Sequence, residues 1–256
     1  MRGSRDDLGF PVAVPRPVRR VVSLVPSLTE SVAASGLLVG ATDWCVEPAG
    51  LDVARVGGTK NPRVPDVLAL APDLVLANFE ENRESDVAAL RAAGVAVWVT
   101  APRDVPAALT SLGRLLAVCG IPSPPWYAAA CRAWPPGPPP PARVRALVPI
   151  WRKPWMALGS STFAGDVLAR LGVANVLADS PERNPTCWLD DLPPYDLVVL
   201  PDEPYAFTPA DAEAFGGVPC AFVSGRHLTW YGPSLAEAPE VLLRQLAATQ
   251  PGDWST

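Results

Sequence analysis

The sequence predicts an α/β protein of two lobes, each with a mainly parallel sheet, joined by a helical, proline-rich connector. Three observations carry this. Strand-like and helix-like segments alternate along most of the 256 residues, which is the signature of βαβ units. The alternation stops across residues 121–142 and then resumes. The halves also echo each other. Asp73-Leu-Val-Leu-Ala-Asn-Phe-Glu80 lines up with Asp196-Leu-Val-Val-Leu-Pro-Asp-Glu203, each a strand opened by Asp and followed by an acidic residue. Ser27 to Asp43 and Ser161 to Asp179 run similarly, from a helix start through Leu, Gly and Val to a closing Asp.

In order, Arg20 to Val25 reads as a buried strand, and Ser27-Leu-Thr-Glu30 reads as a capping box opening a helix to Gly36. A short strand over Val39–Thr42 runs into Trp44. Helices are expected at Pro65–Ala71, Asn82–Ala93 and Ala107–Cys119, with strands at Asp73–Ala77 and Val95–Thr100. Trp126–Trp134 reads as a short helical piece, closed by Pro135-Pro-Gly-Pro-Pro-Pro-Pro141, a composition that favours stiff polyproline geometry. Beyond it, strands are expected at Val144–Ile150, Asp196–Leu200 and Cys220–Ser224. Helices are expected at Ser161–Leu171, Pro209–Phe215 and Pro233–Ala248. The expected organisation is an extension over residues 1–18, a first lobe over 19–120, a connector over 121–142 and a second lobe over 143–250.

Composition excludes several classes. A net charge of −5 with only scattered arginines argues against a general nucleic-acid binder, which needs clustered Lys and Arg. No stretch approaches the ~18 uninterrupted apolar residues of a membrane span. Residues 1–17 hold no apolar run of an export signal and no lipobox cysteine. The expectation is a cytoplasmic chain as written, extracytoplasmic if the true start lies upstream. The five cysteines are odd in number and form no C-x-x-C pair, so reduced thiols are expected. One histidine, His227, excludes a two-His metal motif, and no metal ligand set is expected.

Tryptophan, at 9 residues, is the compositional feature that points to a ligand. In open α/β sheets ligands lie beyond the carboxyl ends of the strands, and two similar lobes imply a cleft between them. The segments after the predicted strands supply Trp44, Cys45 and Glu47; Phe79, Glu81 and Asn82; Trp151, Arg152 and Trp155; Glu203 and Tyr205; and Trp230 and Tyr231. Lys60 is added from the Gly57-Gly58 turn, which is not a P-loop because no helix opens directly after it. Flat aromatic surfaces beside charges suit a large, rigid, partly planar ligand. A single loop Trp is more often a packing residue, and it is the recurrence across strand ends that points to binding. No nucleophile has an obvious base: Cys45 has no histidine near it in sequence, and Glu80 and Glu81 point in different directions if the strand continues.

Taken together, Val22-Ser-Leu-Val-Pro-Ser-Leu-Thr-Glu30, Val56-Gly-Gly-Thr-Lys-Asn-Pro62, Pro72-Asp-Leu-Val-Leu-Ala-Asn78 with Glu80-Glu-Asn-Arg83, Trp98-Val-Thr100, Trp151-Arg-Lys-Pro-Trp-Met156, Glu203-Pro-Tyr205 and Trp230-Tyr-Gly232 resemble the class III periplasmic-binding-protein fold of vitamin B12 and iron–siderophore receptors. More narrowly they are similar to the helical backbone metal receptors. The resemblance implies two Rossmann-like lobes joined by one long helix, with a metal chelate held in the cleft. The chelate would be a corrinoid ahead of an iron–siderophore, with no cofactor required and no catalysis. It also implies a carboxylate from each lobe docking on an ABC permease, for which Glu84 and Glu237 are the candidates by position. Two alternatives stand beside it. A cytosolic enzyme on the same scaffold would have Cys45, Glu47, Glu81 or His227 converge on one pocket, and an interaction module would have a filled or occluded cleft.

Overall fold

The computed structural model describes residues 4–249, so Met1–Gly3 and Gln250 of the expected boundaries lie outside the described residues. The chain forms two compact units. One gathers the described residues up to Pro102 with Ala107–Ala129 and Tyr231–Pro233; the other holds Arg103–Pro106, Ala130–Trp230 and the described residues from Ser234.

The first unit opens with a small hairpin, β1 (Ser4–Arg5) against β2 (Pro11–Val12). It continues through β3 (Val21–Ser23), α1 (Pro26–Ala33), β4 (Leu38–Ala41), β5 (Ala54–Arg55), α2 (Val64–Ala69), β6 (Leu74–Asn78), α3 (Glu84–Ala92) and β7 (Val97–Thr100). Then come α4 (Val105–Cys119) and α5 (Pro125–Ala133), whose outer residues are shared with the second unit. The sheet order is β5-β4-β3-β6-β7, all parallel. Parallel strands covered on both faces read as continuous apolar runs. Leu74, Val75, Leu76 and Ala77 accordingly have no exposed surface. The opening residues, expected as an extension, are tied down. The Asp6 carboxylate lies 2.7 Å from Arg91, and that of Asp7 lies 2.9 Å from Arg114.

The second unit holds β8 (Val144–Leu147), β9 (Pro149–Trp151), β10 (Met156–Ala157), α6 (Phe163–Arg170), β11 (Val173–Asn175), β12 (Leu197–Pro201), α7 (Pro209–Ala212), β13 (Cys220–Val223), α8 (Gly225–Thr229) and α9 (Ala238–Ala247). Its sheet is parallel in the order β11-β8-β12-β13. That is the order β4-β3-β6-β7 of the first unit. β6 and β12, which carry the echoed Asp-Leu-Val segments, take the same place in each sheet.

The differences from the expected elements have local causes. α1 begins at Pro26, not with Ser27 as its cap; its N-cap is Val25, with no side-chain cap bond. The ring of Pro26 presets the helical φ, which puts Ser27 inside the first turn. The strand expected over Val144–Ile150 divides at Pro149, which lacks a ladder donor, so β9 leaves the sheet and pairs antiparallel with β10. The helix expected from Pro233 divides before Pro239 into a 3-10 turn, Pro233–Ala236, and α9. The one expected over Pro209–Phe215 becomes α7 followed by a 3-10 turn, Glu213–Phe215, closed by Gly216 at φ 62°. α7 has a true capping box, made by Thr208 and Asp211. No described helix is long and apolar enough to cross a membrane.

Candidate functional site

In the first unit the carboxyl ends of the strands are bound together by two asparagines. Asn78, the last residue of β6, donates from Nδ2 to the Thr100 carbonyl and to the Tyr231 hydroxyl, and its Oδ1 accepts from the amides of Glu80 and Glu81. Asn82 accepts from the Asn78 amide and donates to the carbonyls of Leu24 and Thr59. These side-chain bonds are why α3 starts at Glu84 and not at Asn82. They also fix the loops after β3, β5, β6 and β7 as one platform. Lys60 reaches across it, its Nζ donating to the Glu80 carbonyl oxygen.

From this platform Trp44 and Phe79 stand out, 67% and 56% exposed, with Val46 beside them at 62%. The indole of Trp44 lies over the Gly58 turn. A Cβ at Gly58 would come within 3.5 Å of Trp44 Nε1 and 2.5 Å of Asn61 Oδ1, so a side chain there would displace the Asn61 amide. Glu80 and Glu81 are exposed alongside, and Glu47 is half-buried.

Three residues expected to face a ligand are instead internal. Cys45 is fully buried, with its Sγ 3.0 Å from Thr29 Oγ1 and 3.1 Å from Thr42 Oγ1. Asn82 is spent on the backbone bonds above. Tyr231 is buried at the Asn78 platform, 2.8 Å from Thr100 Oγ1. The Thr100 hydroxyl already donates to the Ala77 carbonyl, so Tyr231 donates to Thr100 and accepts from Asn78. Burial drives the phenol's pKa upward, so it stays neutral. A strand-end position marks a residue as near the loops, but it does not say which way the side chain turns.

In the second unit the β9–β10 ribbon and the loop after β12 build an aromatic cluster. Trp151 meets Tyr205 edge-on at 5.6 Å, Tyr205 lies 4.6 Å from Phe207, and Trp155 stacks parallel to Phe207 at 6.1 Å. Phe215 closes the cluster against Trp155 at 5.3 Å. Arg152 covers the Trp155 ring at 5.4 Å and pairs with Asp211. Trp155 is thereby largely a packing residue, while Trp151 keeps 44% of its surface in solvent. Glu203 accepts from Trp230 Nε1 at 2.8 Å, and Arg226 lies 5.9 Å from the same indole. Burial pushes the Glu203 carboxyl above the usual range, opposed by that indole bond and reinforced by Asp202.

The candidate docking carboxylates differ. Glu84 is exposed in the first turn of α3. Glu237 is exposed too, but His227 Nε2 lies 3.0 Å and Arg226 3.6 Å from its Oε1. His227 Nδ1 lies 2.8 Å from Ser224 Oγ, so both ring nitrogens are engaged. With Cys45 buried and His227 bonded on both sides, neither is placed as a nucleophile or base open to a substrate. All five cysteines are free thiols, and among the described residues no group of three or more His, Cys, Asp and Glu gathers to hold a metal.

Strand-end reasoning missed two exposed apolar residues, Val46 and Trp188, the latter 76% exposed. Val46 stood between two chosen residues. Trp188 follows no strand that could be read from the sequence.

No protein-family model matches the chain. Over 91 residues it is 32% identical to the vitamin B12-binding protein of Vibrio cholerae serotype O1, a match spanning 34% of this chain and 33% of the relative. Among solved structures it is similar to the periplasmic vitamin B12 binding protein BtuF of Vibrio cholerae, with a TM-score of 0.70 and 19% identity over 93% of this chain and 100% of that one. It is also similar to the periplasmic heme-binding protein RhuT from Roseiflexus sp. RS-1, with a TM-score of 0.68 and 20% identity over 90% and 97% of the chains. Helicobacter pylori Ceue with Ni(II) bound gives a TM-score of 0.74 at 12% identity over 97% and 89%. The fold is therefore that of the class III periplasmic binding proteins, as the resemblance in the sequence implies.

Proposed function

We propose that this protein binds a metal chelate, a corrinoid ahead of an iron–siderophore, and passes it on chemically unchanged. The observation that carries the proposal is the display of aromatic rings at the carboxyl ends of the strands, Trp44 and Phe79 in one unit and Trp151 in the other. In a chain with this fold, exposed rings of that size mark a binding surface, since covering ~100 Å² of apolar area returns about 2.5 kcal/mol. The solved relatives named for vitamin B12 and heme binding point to the ligand class.

A corrinoid is placed ahead of a haem because it needs no protein ligand to its metal. Haem held through its iron takes an axial His, Tyr, Cys or Met. His227 is bonded at both nitrogens, and Cys45 and Tyr231 are buried. Of these strand-end residues, that leaves Tyr205, half-buried in the aromatic cluster, as the phenol within reach of a ligand. A corrinoid brings its own axial ligands and asks only for apolar contact and hydrogen bonds. Lys60, Glu81 and Arg152 are assigned to its polar substituents, with Glu47, Glu203 and Trp230 supporting. Delivery runs to an ABC permease or an intracellular acceptor. Glu84 and Glu237 are the docking carboxylates, and Glu237 is oriented for that role by His227 and Arg226.

Titration of tryptophan fluorescence with dicyanocobinamide, cyanocobalamin, hemin and ferrichrome tests this. Saturable quenching by a corrinoid is expected. Binding of hemin alone would replace the corrinoid with haem, and silence from all four would overturn the reading.

A further inference from the structure

The first unit holds a cavity of about 470 Å³ at the amino ends of its strands, the opposite end of the sheet from Trp44 and Phe79. Val18 and Leu37, which lead into β3 and β4, line it together with the last turns of α1 and α4 and with Trp126 of α5. Local sequence builds this arrangement. Pro122-Ser-Pro-Pro125 turns the chain between α4 and α5. The Tyr127 hydroxyl then donates to the Leu109 carbonyl at 2.9 Å and docks α5 on α4 at Gly113, where a Cβ would lie 2.5 Å from the phenol oxygen. Trp126 is thereby held half-buried at the cavity, edge-on to Tyr127 at 5.8 Å.

Most polar groups around the cavity are already engaged. The Ser31 hydroxyl donates to the Ser27 carbonyl at 2.7 Å and the Ser35 hydroxyl to the Val32 carbonyl at 2.5 Å. The end of α4 closes on itself, with the Gly120 amide donating to the Ala117 carbonyl and that of Ile121 to Leu116. Burial pushes the Cys119 thiol up to about 12, so it lines the cavity as a neutral, unreactive group. Arg16 differs. It is exposed, it is the only charged residue among the described residues of the lining, and no described acidic side chain pairs with it. An apolar cavity of this size with one unpaired guanidinium is complementary to an apolar body that carries a single negative charge.

We infer that this cavity is a second binding site, for a small aromatic carboxylate whose ring packs on Trp126 and whose carboxylate meets Arg16. The indole offers an aromatic ring the offset or edge-on contact it prefers, and the planar guanidinium matches a carboxylate through two N–H groups. The inference does not depend on chelate binding. Calorimetry on the whole chain with naphthalene-2-carboxylate and its methyl ester tests it. The acid is expected to bind saturably and the ester about 3- to 10-fold more weakly, the modest factor reflecting the exposure of Arg16. Arg16→Gln is expected to cost the acid the same factor and the ester nothing. Ala34→Phe and Ala117→Phe fill the cavity from its exposed α1 and α4 sides, and each is expected to abolish binding of both compounds with Tm unchanged. No saturable binding by the parent, or an affinity that neither filling variant moves, overturns the site. An acid affinity unmoved by Arg16→Gln, or an equal loss for acid and ester, overturns the recognition of the carboxylate.

Discussion

Asn78, Thr100 and Tyr231 show how a single buried hydroxyl can hold a site together. The buried phenol both donates and accepts, and its partners each hold a further group: Asn78 the amides of Glu80 and Glu81, and Thr100 the carbonyl of Ala77. Tyr231→Phe leaves Asn78 Nδ2 one acceptor short in a buried setting. The expected cost is about 1–3 kcal/mol, read as a lower urea midpoint, with amide exchange rising around Phe79–Asn82. The aromatic residue at this position was legible in the sequence, but its direction was not. Trp44 and Cys45 are neighbours in the chain, and one is 67% exposed and the other fully buried.

At the scale of elements, the regular strands were legible because burial on both faces forces continuous apolar runs such as Leu74–Ala77. The two-residue elements β1, β2, β5 and β10 were not, since no period can be seen over so short a length. The extended segment 182–187, bridged to Met156 at Thr186 and bonded along its backbone to residues 155–160, escaped for a related reason. Its sequence, Glu182-Arg-Asn-Pro-Thr-Cys187, has no strand signature, and pairing with the β10 region alone makes it extended. Gly159 is the residue that permits the pairing. Gly159→Ala is expected to push the two backbones apart and destabilise the second unit by about 1–3 kcal/mol. An unchanged urea midpoint would show that the pairing tolerates the shift.

For the whole molecule, stability against pH offers a check that needs no ligand. Burial raises the Glu203 carboxyl above its ordinary value, so the folded chain binds that proton more tightly than the unfolded chain does. A raised value means that the contribution is fully present below the unfolded pKa of about 4.3 and is lost as pH rises through the folded value. Glu203→Gln keeps an acceptor for Trp230 Nε1 and removes the ionisation. Its urea midpoint is expected to change less than the parent's as pH is raised from about 4 to 7. Parallel profiles would show that Glu203 is adequately solvated when charged.

What the sequence determined by itself was the repeated α/β plan and the fold, because both follow from the spacing of apolar runs and from motifs that lie contiguous in the chain. The echo of Asp73–Glu80 in Asp196–Glu203 became two strands with the same neighbours in two sheets. What only the tertiary structure decided was which strand-end side chains face outward. That choice depends on partners distant in sequence: Tyr231 meets Asn78 and Thr100, Cys45 meets Thr29, and Glu203 meets Trp230. Trp188 belongs with them. It follows a segment whose backbone bonds to residues 155–160 leave no trace in side-chain identity.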